Sequence, residues 1–197
     1  GLMAIAGGFC ADVAEGSTLA RFSVGLFAGL WGLRLFLSLL IRVRHEPEDG
    51  RYQALRAAWN GSPVKLFVFF QGQAVIVALF SLPFIAAANN TNVSLDFWFF
   101  AAVAVFILSV AGESLADRQL AAFRNNPANR GKTCRNGLWA WSRHPNYFFE
   151  WLHWFAYLFL AIGSPQFWLS LVGPVVMLAF LYRVSGIPWT EAQALRS

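Results

Sequence analysis

The chain has 197 residues, 57% of them hydrophobic and 17% aromatic, with only 13% charged and a formal net charge of +5. Soluble domains carry about 25% charged and about 45–50% apolar residues, so the composition excludes an ordinary soluble protein and fits a polytopic membrane protein of single-domain size. Two distant cysteines, Cys10 and Cys134, make no disulfide framework, and no Cys/His metal spacing occurs.

Gly1–Cys10 is short and apolar, and reads as the remnant of a helix that starts before residue 1. No basic n-region precedes it, so no signal peptide is expected. With no Met at its start, the chain reads as a fragment. Residues 22–41 are twenty, apolar except for Arg34 and Ser38, and at 1.5 Å per residue they reach about 30 Å, one bilayer core. Residues 42–63 form a polar loop broken by Pro47, Gly50, Gly61 and Pro63, with room for a short surface helix around Tyr52–Trp59. A second span is expected over 64–88, with a kink or early stop at Pro83. A tight turn at Asn89–Asn92, which carries two glycosylation sequons, leads to a third span over 96–116. A long basic loop covers 117–147. Two further apolar segments, 148–162 and 167–183, complete an all-α bundle of about five spans in one membrane domain, 1–197.

Charge placement orients this map. Five of the fifteen Lys and Arg residues lie in 42–65 and six in 118–143, whereas the connections 89–95 and 163–166 carry none. Alternation of basic and bare loops predicts a multi-pass protein with the basic loops in the cytoplasm. Neither a Gly-rich dinucleotide fingerprint nor a P-loop is present, which excludes Rossmann and P-loop nucleotide sites.

The polar residues inside the spans are the candidates for chemistry. Glu113 and Asp117 stand four apart, and Arg124 is seven further on, so a continuing helix puts all three on one face. Carboxylates near membrane depth are costly unless paired or hydrated. Either they wall a ligand site, or the helix has reached the headgroups and Asp117 is solvated or paired with Arg118. Asn146, Glu150 and His153 form a second stripe, on a helix otherwise made of Phe, Trp, Leu and Tyr. Asn146 suits an N-cap, since Pro145 precedes it and an apolar run follows. His153 by itself reads as a satisfied interior histidine. Arg34 is too deep to snorkel easily, so a buried partner such as Glu113 or Glu150, or a ligand phosphate, is expected. The six cations of 118–143 satisfy topology and lipid headgroups or bind a phosphorylated cofactor. The interleaved Gly131, Asn136, Gly137, Trp139 and Trp141 favour a shaped site.

Residues 129–150, Asn129-Arg-Gly-Lys-Thr-Cys-Arg-Asn-Gly-Leu-Trp-Ala-Trp-Ser-Arg-His-Pro-Asn-Tyr-Phe-Phe-Glu150, resemble the signature of the steroid 5α-reductase-like membrane family, in its bacterial branch. Glu113-Ser-Leu-Ala-Asp-Arg-Gln-Leu120, Arg183-Val-Ser-Gly-Ile-Pro188 and Trp31-Gly-Leu-Arg34 fit the same branch. The resemblance implies an integral-membrane reductase that uses NADPH, in a cavity facing the cytoplasm, to reduce the conjugated enone of a steroid- or isoprenoid-like molecule. It carries cofactor contacts onto Asp117, Arg124, Lys132, Asn146 and Glu150, with Arg34 at the position of a family arginine. Arg143, His144 and Tyr147 of the RHPxY core, Arg183, and Glu113, where the steroid enzymes have Asn, complete the implied set. Trp31 stands where those enzymes have a carbonyl-polarising Tyr, Phe149 stands where Gly is usual, and the family's tail would lie beyond Ser197. The RHPxY core is shared with membrane methyltransferases that use S-adenosylmethionine, which is the second reading. A non-enzymatic membrane or lipid-binding protein is the third. The expected partners are a hydrophobic small molecule and membrane lipid, not nucleic acid.

Overall fold

The computed structural model describes residues 2–45, 50–184 and 187. Pro47 of the first basic loop, and Ser185, Gly186 and Pro188 of the Arg183 motif, lie outside them. The described residues form helices and turns without strands, an all-α membrane helix bundle. In chain order the helices are α1 (Leu2–Val13), α2 (Thr18–His45), α3 (Gly50–Ala58), α4 (Pro63–Ala88), α5 (Phe97–Arg124), α6 (Pro145–Leu160), α7 (Phe167–Ser170) and α8 (Val172–Ala179). A π-helical turn follows at Phe180–Val184. Helices α2, α4 and α5 are long and apolar enough to cross a membrane.

Several boundaries differ from the hydropathy reading, each for a local reason. The third span does not end at 116: α5 runs on to Arg124, so the charged turn that looks like loop is still helix. Its start is fixed by Asp96, whose carboxylate accepts from the backbone N–H groups of Trp98 (2.9 Å) and Phe99 (3.0 Å). The Phe99 N–H, with the Ser94 hydroxyl and the Trp98 N–H, holds that carboxyl below its usual range. The fourth apolar segment begins at Pro145, not at 148, and Asn146 is not its cap. His144 is the N-cap and Pro145 occupies the first helical position, where a missing N–H costs nothing. At 16 residues, α6 reaches about 24 Å, short of a full crossing of about 30 Å. The 167–183 segment is likewise not one regular span. Pro174 has no N–H to give the carbonyl of Ser170, and the helix resets there, α7 ending at Ser170. Pro83, by contrast, does not stop α4, which continues to Ala88.

Small residues set the helix spacings. Gly7 meets Ala28, Gly25 meets Ala11, and Gly32 meets Ala4, so α1 and α2 lie close as an antiparallel pair. A Cβ on Gly173 would come within 2.7 Å of the Trp154 ring and 2.9 Å of Pro83, which is why α8 can approach α4 and α6. The most extensive contact is between α5 and α6. Phe27 of α2 stacks on Phe106 of α5 at 4.1 Å between ring centres, and Phe84 of α4 meets Tyr157 of α6 edge-on at 4.7 Å. The outward faces of α4 and α5, with Phe67, Val68, Phe100 and Ile107 exposed, present the apolar surface that a bilayer requires.

At the end without basic loops, Asn90 is fully buried. Its side-chain amide N–H groups donate to the carbonyls of Leu160 and Ile162, both at 2.8 Å, and its backbone carbonyl accepts from the Ser17 backbone N–H at 3.0 Å. Asn92 donates to the Gly163 carbonyl at 3.0 Å, and Asn89 to that of Ile85 at 3.0 Å. The side-chain amides of both sequon asparagines are thus used in holding the turns together.

Candidate functional site

The polar residues of three helices meet toward the basic end of the bundle. Arg34 lies on the face of α2 that also carries Phe27 and Trp31, at spacings of seven and three residues. Glu113 and Asp117 share one face of α5, and Glu150 and His153 one face of α6. Arg34 bridges the two carboxylates of α5: its Nη2 pairs with Glu113 Oε1, and its Nη1 reaches Asp117 Oδ2 at 3.4 Å. The Arg34 and Glu113 side chains are 15% and 9% exposed, that of Asp117 44%. Glu150 interacts electrostatically with Arg34, Glu113 and Asp117. One guanidinium therefore serves three carboxylates, and its Nε is buried without a partner. Of the partners expected for Arg34, Glu113 is the direct one. Asp117 faces Arg34 rather than Arg118, whose Nε donates to the Ser114 carbonyl at 3.2 Å.

The other predicted site residues surround this centre at different depths. Arg124 ends α5 and is exposed, as are Lys132 and Arg143 in the following loop. His144 and Tyr147 are half-buried and stacked, with ring centres 5.3 Å apart. Asn146 is half-buried in the first turn of α6, one turn before Glu150. Arg183 is exposed in the π-helical turn. The structure thus brings Arg34, Glu113, Asp117 and Glu150 into one cluster. It leaves Arg124, Lys132, Arg143 and Arg183 on the surface.

The loop that carries the signature is anchored to α5 by two bonds that the sequence did not disclose. The Leu138 N–H donates to Gln119 Oε1 at 2.9 Å, and the Trp139 indole N–H donates to the Ala116 carbonyl at 2.9 Å. Gly137 is required at this point: its φ is +58°, and the Gln119 carboxamide fills the space where a Cβ would stand. Trp139 is therefore an anchor, whereas Trp141 is 92% exposed. The signal for Gln119 was its position, two residues past Asp117 on a helix assumed to have ended.

Phe149 is accommodated by a glycine on the facing helix. A Cβ on Gly112 would collide with the Phe149 ring, so the missing side chain on α5 receives the extra one on α6, beside Glu113 and Glu150. Gly112→Ala is expected to destabilise the protein by about 1–3 kcal/mol, the usual cost of overpacking. Phe149→Ala in the same chain should restore most of the loss. Thermal unfolding of both variants tests the pairing, and additive losses would refute it.

His153 is not a satisfied interior histidine. It is 1% exposed, and both ring nitrogens lack a hydrogen-bond partner. Trp31 Nε1, Trp154 Nε1 and Tyr157 Oη are buried and unpartnered in the same way. Tyr157 lies seven residues after Glu150, and Trp31 three before Arg34. These helical spacings were the available signal.

Fold and site together define an α-helical membrane protein with an ion-paired polar centre between its helices. The chain belongs to the family described as "Protein of unknown function (DUF1295)", which it matches over residues 1–197. No curated protein matches it. No solved structure matches it.

Proposed function

We propose that the protein is a membrane reductase of the steroid 5α-reductase-like kind, which binds NADPH at its basic end and reduces the conjugated enone of a lipid-like molecule. The observation that carries this reading is the Arg34–Glu113–Asp117–Glu150 cluster. Charged groups are rare in an apolar bundle and are normally retained there for a ligand or transport role. A cluster with one spare guanidinium N–H and three carboxylates offers more acceptor sites than its own residues use. The Gly137–Glu150 signature supports the same reading.

The residues fit the cofactor's chemistry. Glu113, Asp117 and Glu150 are acceptors for ribose hydroxyls and for the carboxamide N–H groups, and Asn146 lies one turn from Glu150. Exposed Arg124, Lys132 and Arg143 suit phosphates, which guanidinium groups grip through charge-assisted hydrogen bonds. NADPH, when bound, supplies the hydride. The chain's own residues bind and orient it: Arg34 holds the carboxylates of α5 in place, and the Gln119 and Trp139 anchors hold the loop against α5.

NADPH is expected to bind the detergent-solubilised protein about ten- to a hundredfold more tightly than NADH, the range for contacts to a charged phosphate. Glu150→Ala and Asn146→Ala should each abolish binding, as read by fluorescence titration. The second reading keeps one specific support. The cluster sets three carboxyl groups against one guanidinium, and a carboxylate is a suitable neighbour for the sulfonium of S-adenosylmethionine. Thermal stabilisation by S-adenosylmethionine and not by NADPH would replace the first reading with the second.

A further inference from the structure

At the end of the bundle without basic loops, α1 and α2 leave a groove open along the exposed side of their seam. Its floor is made of small residues. Ala11 lies against Gly25, and one turn deeper Gly8 on α1 and Gly29 on α2 would meet nothing within 4 Å if either carried a Cβ. Phe22 and Leu26, both exposed, stand beside it as an apolar wall. The groove encloses about 530 Å³, within the range of about 300–1,000 Å³ typical of small-molecule sites.

The mouth of the groove is charged. Asp12 lies in the last turn of α1 and Arg21 in the first turn of α2. Arg21 donates from Nε to the Ala11 carbonyl at 2.8 Å and from Nη2 to the Asp12 carbonyl at 2.7 Å. These bonds close the end of α1 and leave Nη1 outside them. They also hold the guanidinium beside Asp12, yet the two side chains form no ion pair, and the exposed Asp12 carboxylate pairs with no other cation among the described residues. The connections at this end, 89–95 and 163–166, carry no Lys or Arg, so Arg21 stands apart from the charge pattern of the loops. Capping accounts for the arginine. It accounts neither for the open cavity nor for an acid left unpaired next to a base.

A groove that faces the bilayer, with one cation and one anion at its mouth and an apolar floor, is complementary to a single zwitterionic phospholipid. A transmembrane helix seated there would desolvate Asp12 and Arg21 without pairing them, which is costly. An anionic headgroup would meet the carboxylates of Asp12 and, three residues on, Glu15. A zwitterion places its phosphate on Arg21 through charge-assisted hydrogen bonds and its cation on Asp12. A primary ammonium brings three N–H donors to that carboxylate, whereas a quaternary ammonium brings charge alone.

We propose that the α1–α2 groove binds phosphatidylethanolamine, with the phosphate on Arg21 and Thr18, the ammonium on Asp12, and one acyl chain along Gly8, Gly25 and Leu26. The site uses neither the charged cluster nor a cofactor, so it stands independently of the reductase reading.

The test titrates the delipidated, detergent-solubilised protein with palmitoyl-oleoyl phosphatidylethanolamine and with the phosphatidylcholine of the same chains, and reads bound lipid by native mass spectrometry. One phosphatidylethanolamine should bind about three- to tenfold more tightly than phosphatidylcholine, as expected for hydrogen bonds to a partly exposed carboxylate. Asp12→Asn keeps the backbone carbonyl that Arg21 uses and removes the charge; it should bring the two lipids to equal affinity. Gly8→Leu puts a side chain into the open floor and should weaken both lipids about tenfold. Both positions are exposed, so the unfolding midpoints without lipid should match that of the unaltered protein. Equal affinity for the two lipids in the unaltered protein overturns the proposal. So does a preference that persists undiminished in both variants, which would place the lipid elsewhere. A dimer that Gly8→Leu dissociates, with no lipid preference, would give the groove to a second copy of the chain and overturn it as well.

Discussion

Arg34→Met is expected to destabilise the protein by about 3–5 kcal/mol, the cost of leaving buried charge without its partner. Arg34 pairs with Glu113 and Asp117 at once and is the cation that also acts on Glu150. Methionine keeps much of the apolar stem but leaves Glu113, whose side chain is only 9% exposed, facing two other carboxylates. Arg34→Lys should fall between the two. A lysine brings one compact charge where arginine presents a planar fork, so it can hold one carboxylate well but not bridge two. Adding Glu113→Gln to Arg34→Met should recover part of the loss, because a buried amide costs less than a buried anion. The unfolding midpoint in mixed micelles, with increasing SDS, reads all three. A loss under about 1 kcal/mol for Arg34→Met, the value of an exposed pair, would show that the cluster is solvated and not a structural centre.

That cluster was largely legible in the sequence, and the reason is geometric. A helix repeats its face every three to four residues, so Glu113 with Asp117, and Asn146 with Glu150 and His153, could be grouped without coordinates. Lone charges in apolar spans call for partners, which pointed from Arg34 to Glu113, Glu150 or a ligand phosphate; the structure makes Glu113 the direct one. What one-dimensional reasoning could not supply was contact between elements. Gln119 looked like part of a loop because hydropathy falls at Asp117, yet the helix continues to Arg124 and Gln119 receives the Leu138 N–H. Asn146 looked like a cap because polar residues after a proline often are, but Pro145 itself fits the first helical position and moves the cap to His144. His153 looked inert because a buried histidine usually finds a partner, and only the packing shows that Trp31 lies against its ring face rather than its nitrogens.

The second large effect lies at the opposite end of the bundle. Asn90→Ala is expected to lower stability by about 2–4 kcal/mol, since each buried polar group left unsatisfied costs about 1–3 kcal/mol. The Asn90 amide satisfies two carbonyls at the end of α6, those of Leu160 and Ile162, and its own backbone carbonyl accepts from Ser17 at the start of α2. One residue on the α4–α5 turn thereby fixes where α6 stops relative to α2. The consequence reaches the charged cluster, because α6 is a single helix from Pro145 to Leu160. Its axial position decides whether Glu150 stands level with Arg34 and whether His153 stands level with Trp31. Asn90→Asp tests the donor itself: the shape is kept, but the new group can only accept, opposite two carbonyls that also only accept. It should be at least as damaging as alanine. Hydrogen exchange should rise first in the peptide covering 158–164, and protection around 145–150 should weaken only as the helix shifts. Unchanged unfolding midpoints for both variants would mean that the α6 end is held by apolar packing alone, with the Asn90 bonds incidental.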